Sequence, residues 1–145
     1  MPYKHVLAAV DFSDESTQIL EKARVTANSH SAKLSLIRIV RPLAHVYAGL
    51  NMALVANVSV SFEEEALKQA SQQLQDIGNI HGVNGENVHV KIGNPAHEIR
   101  NAVTELEVDL IVMGTHGRHG LGRLLGSTTN AVLHGVGCDV LAVWV

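Results

Sequence analysis

Five short apolar runs, separated by stretches of helical character, constrain this chain more than any other feature. "KHVLAAV" at residues 4–10 is apolar from end to end and is closed by Asp11. Such a run suits a strand covered on both faces. "KLSLIRIV" at residues 33–40 alternates at first, turns apolar, and is ended by Pro42. "NVHVKIG" at 87–93, "DLIVMG" at 109–114 and "CDVLAVWV" at 138–145 supply three more strands.

The intervening segments carry helix signals. After the first strand, Ser13 or Asp14 can cap a helix, and Ile19, Leu20, Ala23 and Ala27 then recur on one face. "SFEEEALKQASQQLQDIGNIHG", residues 61–82, predicts a helix with Ser61 as N-cap and Glu64 completing a capping box. Its expected buried stripe is Phe62, Ala66, Leu67, Ala70, Leu74 and Ile77. Asn94 followed by Pro95 opens a third helix in the favoured order. "STTNAVLHGVG" predicts a short fourth helix stopped by Gly135. Residues 43–60 are apolar but carry Gly49 and asparagines, and read as a surface excursion that partly packs.

The order is therefore β-α-β-α-β-α-β-α-β within one domain spanning residues 1–145. Regular alternation with apolar strands predicts an α/β fold, an open five-stranded parallel sheet with four helices on its two faces. With right-handed crossovers, a strand order of 3-2-1-4-5 brings the ends of the first and fourth strands to one crevice. Ligands of open parallel sheets bind there, beyond the carboxyl ends, where the strand order reverses.

Composition excludes several classes. The formal charge of −3 argues against a general nucleic-acid or membrane-surface binder. A single cysteine, Cys138, excludes an internal disulfide and a cysteine zinc cluster, and its place before an apolar strand suits an inert thiol. The apolar run before Asp11 is too short for a secretory or spanning segment, so a cytoplasmic protein is expected. Nine histidines are scattered over the elements. His116 and His119 share a loop but lack a third ligand at standard spacing, so the metal ligands are left unknown.

Two strand ends carry chemistry. Asp11 follows "AAV", and "VMGTHG" ends the fourth strand. Gly114 and Gly117 allow a backbone to approach an anion closely. Gly126, Ser127 and Thr128 open a helix, where amides are unpaired, and Arg118 and Arg123 add positive charge. The same glycines serve equally to end a strand and start a helix. The P-loop pattern is absent, because no Gly-Lys-Ser/Thr follows, and the dinucleotide fingerprint is absent after the first strand.

"YKHVLAAVDFSDES", "LSLIRIV", "DLIVMGTHGRHGLGRLLGST" and "CDVLAVWV" resemble, in order and over nearly the whole chain, the universal stress protein family of UspA-like type. The resemblance implies a Rossmann-like fold, a homodimer paired along the last strand, stress-related roles, and no agreed enzymatic reaction. Nucleotide-binding members carry Gly-x-x-Gly, nine residues, then Gly-Ser/Thr, a loop that holds ATP phosphates. Carried over by motif, phosphates would meet Gly114, Gly117, Gly126 and Ser127. Asp11 and Ala9 would line the nucleoside pocket with Ile39 beside adenine, and Met113 and Thr128 would complete the wall, with Mg²⁺ accompanying ATP. Here the segment between Gly117 and Gly126, "RHGLGRLL", is one residue shorter than in those members.

The closing strand carries no charge between Val140 and Val145. Left at a sheet edge it would invite aggregation, and pairing with its own copy removes that hazard. Three readings follow. One is an ATP-binding dimeric stress protein, another a dimeric interaction protein of the same fold without nucleotide. The third, a slow ATP hydrolase or phosphotransferase, ranks last, because no evident base or arginine finger stands out beyond Arg118 and Arg123.

Overall fold

The computed structural model describes residues 2–11, 15–42, 52–115 and 127–145, with side chains left out at 52–61. Its five strands are β1 (His5–Ala9), β2 (Lys33–Val40), β3 (Val88–Ile92), β4 (Leu110–Gly114) and β5 (Asp139–Val143). They form one parallel sheet in the order β3-β2-β1-β4-β5. The expected order of strands holds, and β5 is an edge.

Four α-helices among the described residues connect them: α1 (Ser16–Ser29), α2 (Met52–Ile80), α3 (Pro95–Glu105) and α4 (Ser127–Leu133). The chain runs outward through β1, β2 and β3, then crosses back to place β4 on the other side of β1. Val6, Ala8 and Val10 share a core with Ile19, Leu20 and Ala23 of α1 and Leu74 of α2. Leu7, Ile37 and Ile111 face the opposite way, toward Ile99 and Ala102 of α3 and Val132 of α4. This is the period-two alternation of a strand covered on both faces. Leu7, Ile111 and Val112 are fully buried, each worth about 1.5–3 kcal/mol relative to exposure.

Helix starts differ from expectation at two places. α1 has Glu15 at its N-cap position with no side-chain cap bond, while Ser13 and Asp14 lie outside the described residues. α2 begins at Met52, so residues 52–60 are helical and Ser61 is interior to the helix rather than its cap. Between Gly49 and Gly78 no glycine or proline interrupts the chain. Met52, Ala53, Leu54 and Ala56 are good helix formers, so nothing local stops the helix at Ser61. The expected stripe is also corrected at its start. Ala70 and Leu74 are buried, but Phe62 is 62% exposed.

Asn94 caps α3 as expected, its Oδ1 accepting from the His97 amide at 3.1 Å, with Pro95 at the first position. Gly93 has φ +151°, and a Cβ there would lie 2.9 Å from Glu98 Cγ. That explains a glycine immediately before the cap. No helix among the described residues is long and apolar enough to cross a membrane.

Candidate functional site

The two central strands stop pairing before either ends. β1 and β4 are in register from Val6 with Leu110 to Ala8 with Val112. β1 stays paired to β2 as far as Ala9 with Ile37, and β4 to β5 as far as Gly114 with Val143. The carboxyl ends of β1 and β4 are thus held by their outer neighbours and released from each other. The cause is topological. The crossover from β1 packs on one face of the sheet and the crossover into β4 comes from the other.

Each lip of this crevice is anchored. On the β1 side, the Val10 amide donates to the Ile37 carbonyl at 3.0 Å. Asp11 follows, half-buried, and its Oδ1 accepts from the Ser16 hydroxyl at 3.2 Å. The first turn of α1 therefore holds the carboxylate. On the β4 side, Thr129 of α4 is buried and its hydroxyl donates to the Gly114 carbonyl at 2.7 Å. The Thr115 amide donates to Val143 O at 2.9 Å, and the Val145 amide to Thr115 Oγ1 at 3.3 Å. The peptide after β4 is thereby fastened to both α4 and the tail of β5.

Of the residues singled out from sequence, Ala9, Asp11, Met113 and Gly114 come together at this crevice. Met113 and Ile39 are 5% and 4% exposed, their side chains in the core toward α3 and α4. What they can offer a ligand is backbone. Ser127 and Thr128 are the first two residues of α4, exposed and half-buried respectively. Gly117, Arg118, Arg123 and Gly126 lie outside the described residues.

Sequence reasoning passed over Ser16, Thr115, Thr129 and Arg38. Ser16 and the threonines gave no pattern-level signal, because their roles are to hold other residues. Arg38 did give one. It is the one charge inside "LSLIRIV", near the carboxyl end of a strand covered on both faces. Its guanidinium Nη1 donates to the Ile39 carbonyl.

The Asp11 carboxylate stands just beyond β1, steadied by the Ser16 hydroxyl, and the exposed Ser127 opens α4 on the β4 side. A carboxylate there is the kind of oxygen that accepts from a ligand hydroxyl. Among the described residues no three His, Cys, Asp or Glu side chains gather as a metal cluster.

The opposite end of the sheet holds a hollow of about 520 Å³ lined in part by Tyr3, Asp109, Cys138 and Asp139. Its polar groups are bound to the fold. Tyr3 donates to Asp139 Oδ2 at 2.8 Å, and Asp109 accepts from the Lys4 and His5 amides at 2.8 and 3.0 Å. Burial raises the Cys138 thiol above its ordinary pKa, and Asp139 adds to the effect. An inert thiol follows.

The sequence model described as the universal stress protein family matches residues 2–143. Universal stress protein A homolog 1 of Coxiella burnetii is 37% identical over 145 residues, covering 99% of this chain and 98% of its own. Among solved structures, the universal stress protein UspA from Lactobacillus plantarum aligns with a TM-score of 0.79 at 24% identity, covering 99% of each chain. A universal stress protein in complex with cAMP aligns with a TM-score of 0.62 at 24% identity, covering 99% of this chain and 98% of the other.

Proposed function

The chain belongs to the universal stress protein family, and on that premise we propose that it binds ATP, as Mg-ATP, in the crevice between β1 and β4 and acts as a dimeric, nucleotide-linked regulator of the stress response. The observation that carries this reading is the unpaired divergence of β1 and β4 beyond Ala8 and Val112, with Asp11 on one lip and Gly114 on the other. A solved relative of the same fold is in complex with an adenine nucleotide, cAMP, which supports the ligand class.

In this reading Asp11, steadied by Ser16, accepts hydrogen bonds from the ribose. Ala9 and Met113 line the nucleoside through backbone, and the Ile39 backbone meets the base. Phosphates lie toward Gly114, Gly117, Gly126, Ser127 and Thr128, with Arg118 and Arg123 supplying charge. Mg²⁺ carried with the triphosphate neutralises part of its charge, and the Asp11 carboxylate is the kind of hard oxygen donor such a cation takes. Thr129 keeps the Gly114 carbonyl turned into α4, which fixes the peptide from which the glycine loop departs.

The dimer rests on β5. It is an edge strand, and Trp144 beside it is 69% exposed. An edge that is free of charge from Val140 to Val145 is covered by pairing with a second copy through a twofold axis.

Thermal unfolding with millimolar Mg-ATP tests the reading. Ligand at 100 times its dissociation constant stabilises a fold by about 2.7 kcal/mol. A clear upward shift in Tm is expected, along with nucleotide released when the purified protein is denatured. The shorter spacing between Gly117 and Gly126 favours the second reading, an interaction protein of the same fold without nucleotide. No shift with Mg-ATP, in a protein that still sediments as a dimer, would establish that one instead.

A further inference from the structure

α4 has 7 residues, about two turns, too short to keep its shape alone in water. Contacts set its place. Val132 is buried in the core it shares with α3 and the sheet, and the Thr129 hydroxyl donates to the Gly114 carbonyl at 2.7 Å. At its end the helix tightens. The Gly135 amide, which in a continuing helix would take the Ala131 carbonyl, donates to Val132 O at 3.1 Å. The Val136 amide donates to the same oxygen at 3.0 Å. The Ala131 carbonyl is thereby left to a partner from outside the helix.

That partner is Arg100 of α3. It is half-buried, and its Nη1 donates to Ala131 O at 3.0 Å. A cation at the carboxyl end of a helix is favoured by the dipole as well as by the hydrogen bond. Gly135 lets the arginine through. A Cβ at Gly135 would lie 2.9 Å from Arg100 Cδ and 3.1 Å from Nη1. Gly135 has no positive φ, so its backbone accepts alanine, and what needs the glycine is the passage of the arginine. An alanine there would push the flexible side chain aside and leave the backbone in place.

Ser127, the first residue of α4, precedes Ala131 by four residues, about 6 Å along the axis. A helix this short moves as one body. What fixes Ala131 therefore fixes Ser127 and Thr128 with respect to Gly114, which α4 already holds through Thr129. We infer that Arg100 is a positioning residue of the phosphate side of the crevice: from α3 it braces α4, and through α4 it sets Ser127 and Thr128 against Gly114. It acts through the helix and not on the ligand. This rests on the nucleotide reading above and names what holds its phosphate side in place.

Dissociation constants of Mg-ATP are measured by calorimetry on the full chain, and those of adenosine by its displacement of Mg-ATP. Arg100→Met keeps the aliphatic stem without donors. It is expected to weaken Mg-ATP about tenfold, the scale of one charged hydrogen bond, and to leave adenosine unchanged. Arg100→Lys, whose ammonium can still reach the carbonyl, is expected to recover most of that loss. Gly135→Ala is expected to weaken Mg-ATP about as much with little change in the ligand-free urea midpoint, because alanine also restricts the unfolded chain. It decides the matter if the methionine variant does not fold. The double variant is expected to be no weaker than either single one, since both remove one contact. Unchanged Mg-ATP affinity in the folded variants, losses that multiply in the double variant, or an equal loss for adenosine overturns the role of Arg100 and leaves nucleotide binding standing. Absence of Mg-ATP binding to the wild type overturns the nucleotide reading and this inference with it.

Discussion

The two ends of the sheet are built from the same strands and do opposite things with polar residues. At the amino end, polar groups are spent on the fold. His5 is 7% exposed, with Nδ1 2.9 Å from Leu106 O and Nε2 2.7 Å from the hydroxyl of fully buried Ser35. A carbonyl can only accept, so in the neutral ring Nδ1 carries the proton and Nε2 accepts from Ser35. Partial burial works against the Asp109 carboxylate. The amides of His5 and Lys4 outweigh it and hold the carboxyl below its ordinary pKa. Each of these contacts ties together segments far apart in the chain. At the carboxyl end, Asp11, Gly114 and Thr115 sit where β1 and β4 have let go of each other. The difference teaches that a polar residue in a covered sheet is read by which end it occupies. At the amino end His5 and Asp109 tie β1 to distant segments, and at the carboxyl end β1 and β4 no longer pair with each other.

The comparison breaks most readily at His5. His5→Ala removes a packed ring and leaves the Ser35 hydroxyl buried without its acceptor. About 2–4 kcal/mol of stability should be lost, read by urea unfolding, with nucleotide affinity of the folded fraction unchanged. A tenfold loss of affinity there would mean the two ends are not independent.

Gly117→Val probes the other end. At ATP concentrations 100 times the wild-type dissociation constant, the stabilisation of about 2.7 kcal/mol should disappear while the ligand-free Tm stays put. Inserting one residue after Leu125 should tighten binding if the shorter loop is a handicap. Thr129→Val removes the buried donor on Gly114 O. It should cost about 1–2 kcal/mol and also weaken Mg-ATP binding, since it loosens the peptide at the crevice. A stability loss with intact affinity would confine Thr129 to packing.

Acid sharpens the contrast from the amino side. Burial lowers the pKa of His5, partly offset by the Leu106 carbonyl, and burial with the nearby Lys91 lowers that of His89. The unfolded chain then takes up protons first. Stability should be full above about pH 6.5, the ordinary imidazole value, and fall as pH drops from there toward the lowered folded values. Unfolding free energy measured against pH should show that slope, and His89→Gln should make it shallower. The smallest effect is expected from Ser16→Ala, about 0.5–1 kcal/mol, because Asp11 keeps its place at the end of β1.

Much of this was legible in the residues. Apolar runs such as "LIVMG" are buried on both faces wherever they pack, and Asn94-Pro95 announces a helix start through its own local bonds. Asp11 and Gly114 were legible as the ends of apolar runs, which a turn residue marks as well as a ligand residue does. Ser61 misled because a capping box is a local signal, and the helix-forming stretch before it continued the helix through it. Phe62 misled because helical periodicity gives a face without saying how far the sheet beneath it extends.

The sequence by itself determined the alternation of strands and helices and the parallel sheet they form. Those follow from short-range patterns and from the handedness of crossovers. Tertiary structure decided which polar groups meet. Ser35 lies 30 residues from His5, and Thr129 lies 15 from Gly114. Arg38 donates to the carbonyl of its neighbour Ile39, a contact that the strand pattern alone does not announce.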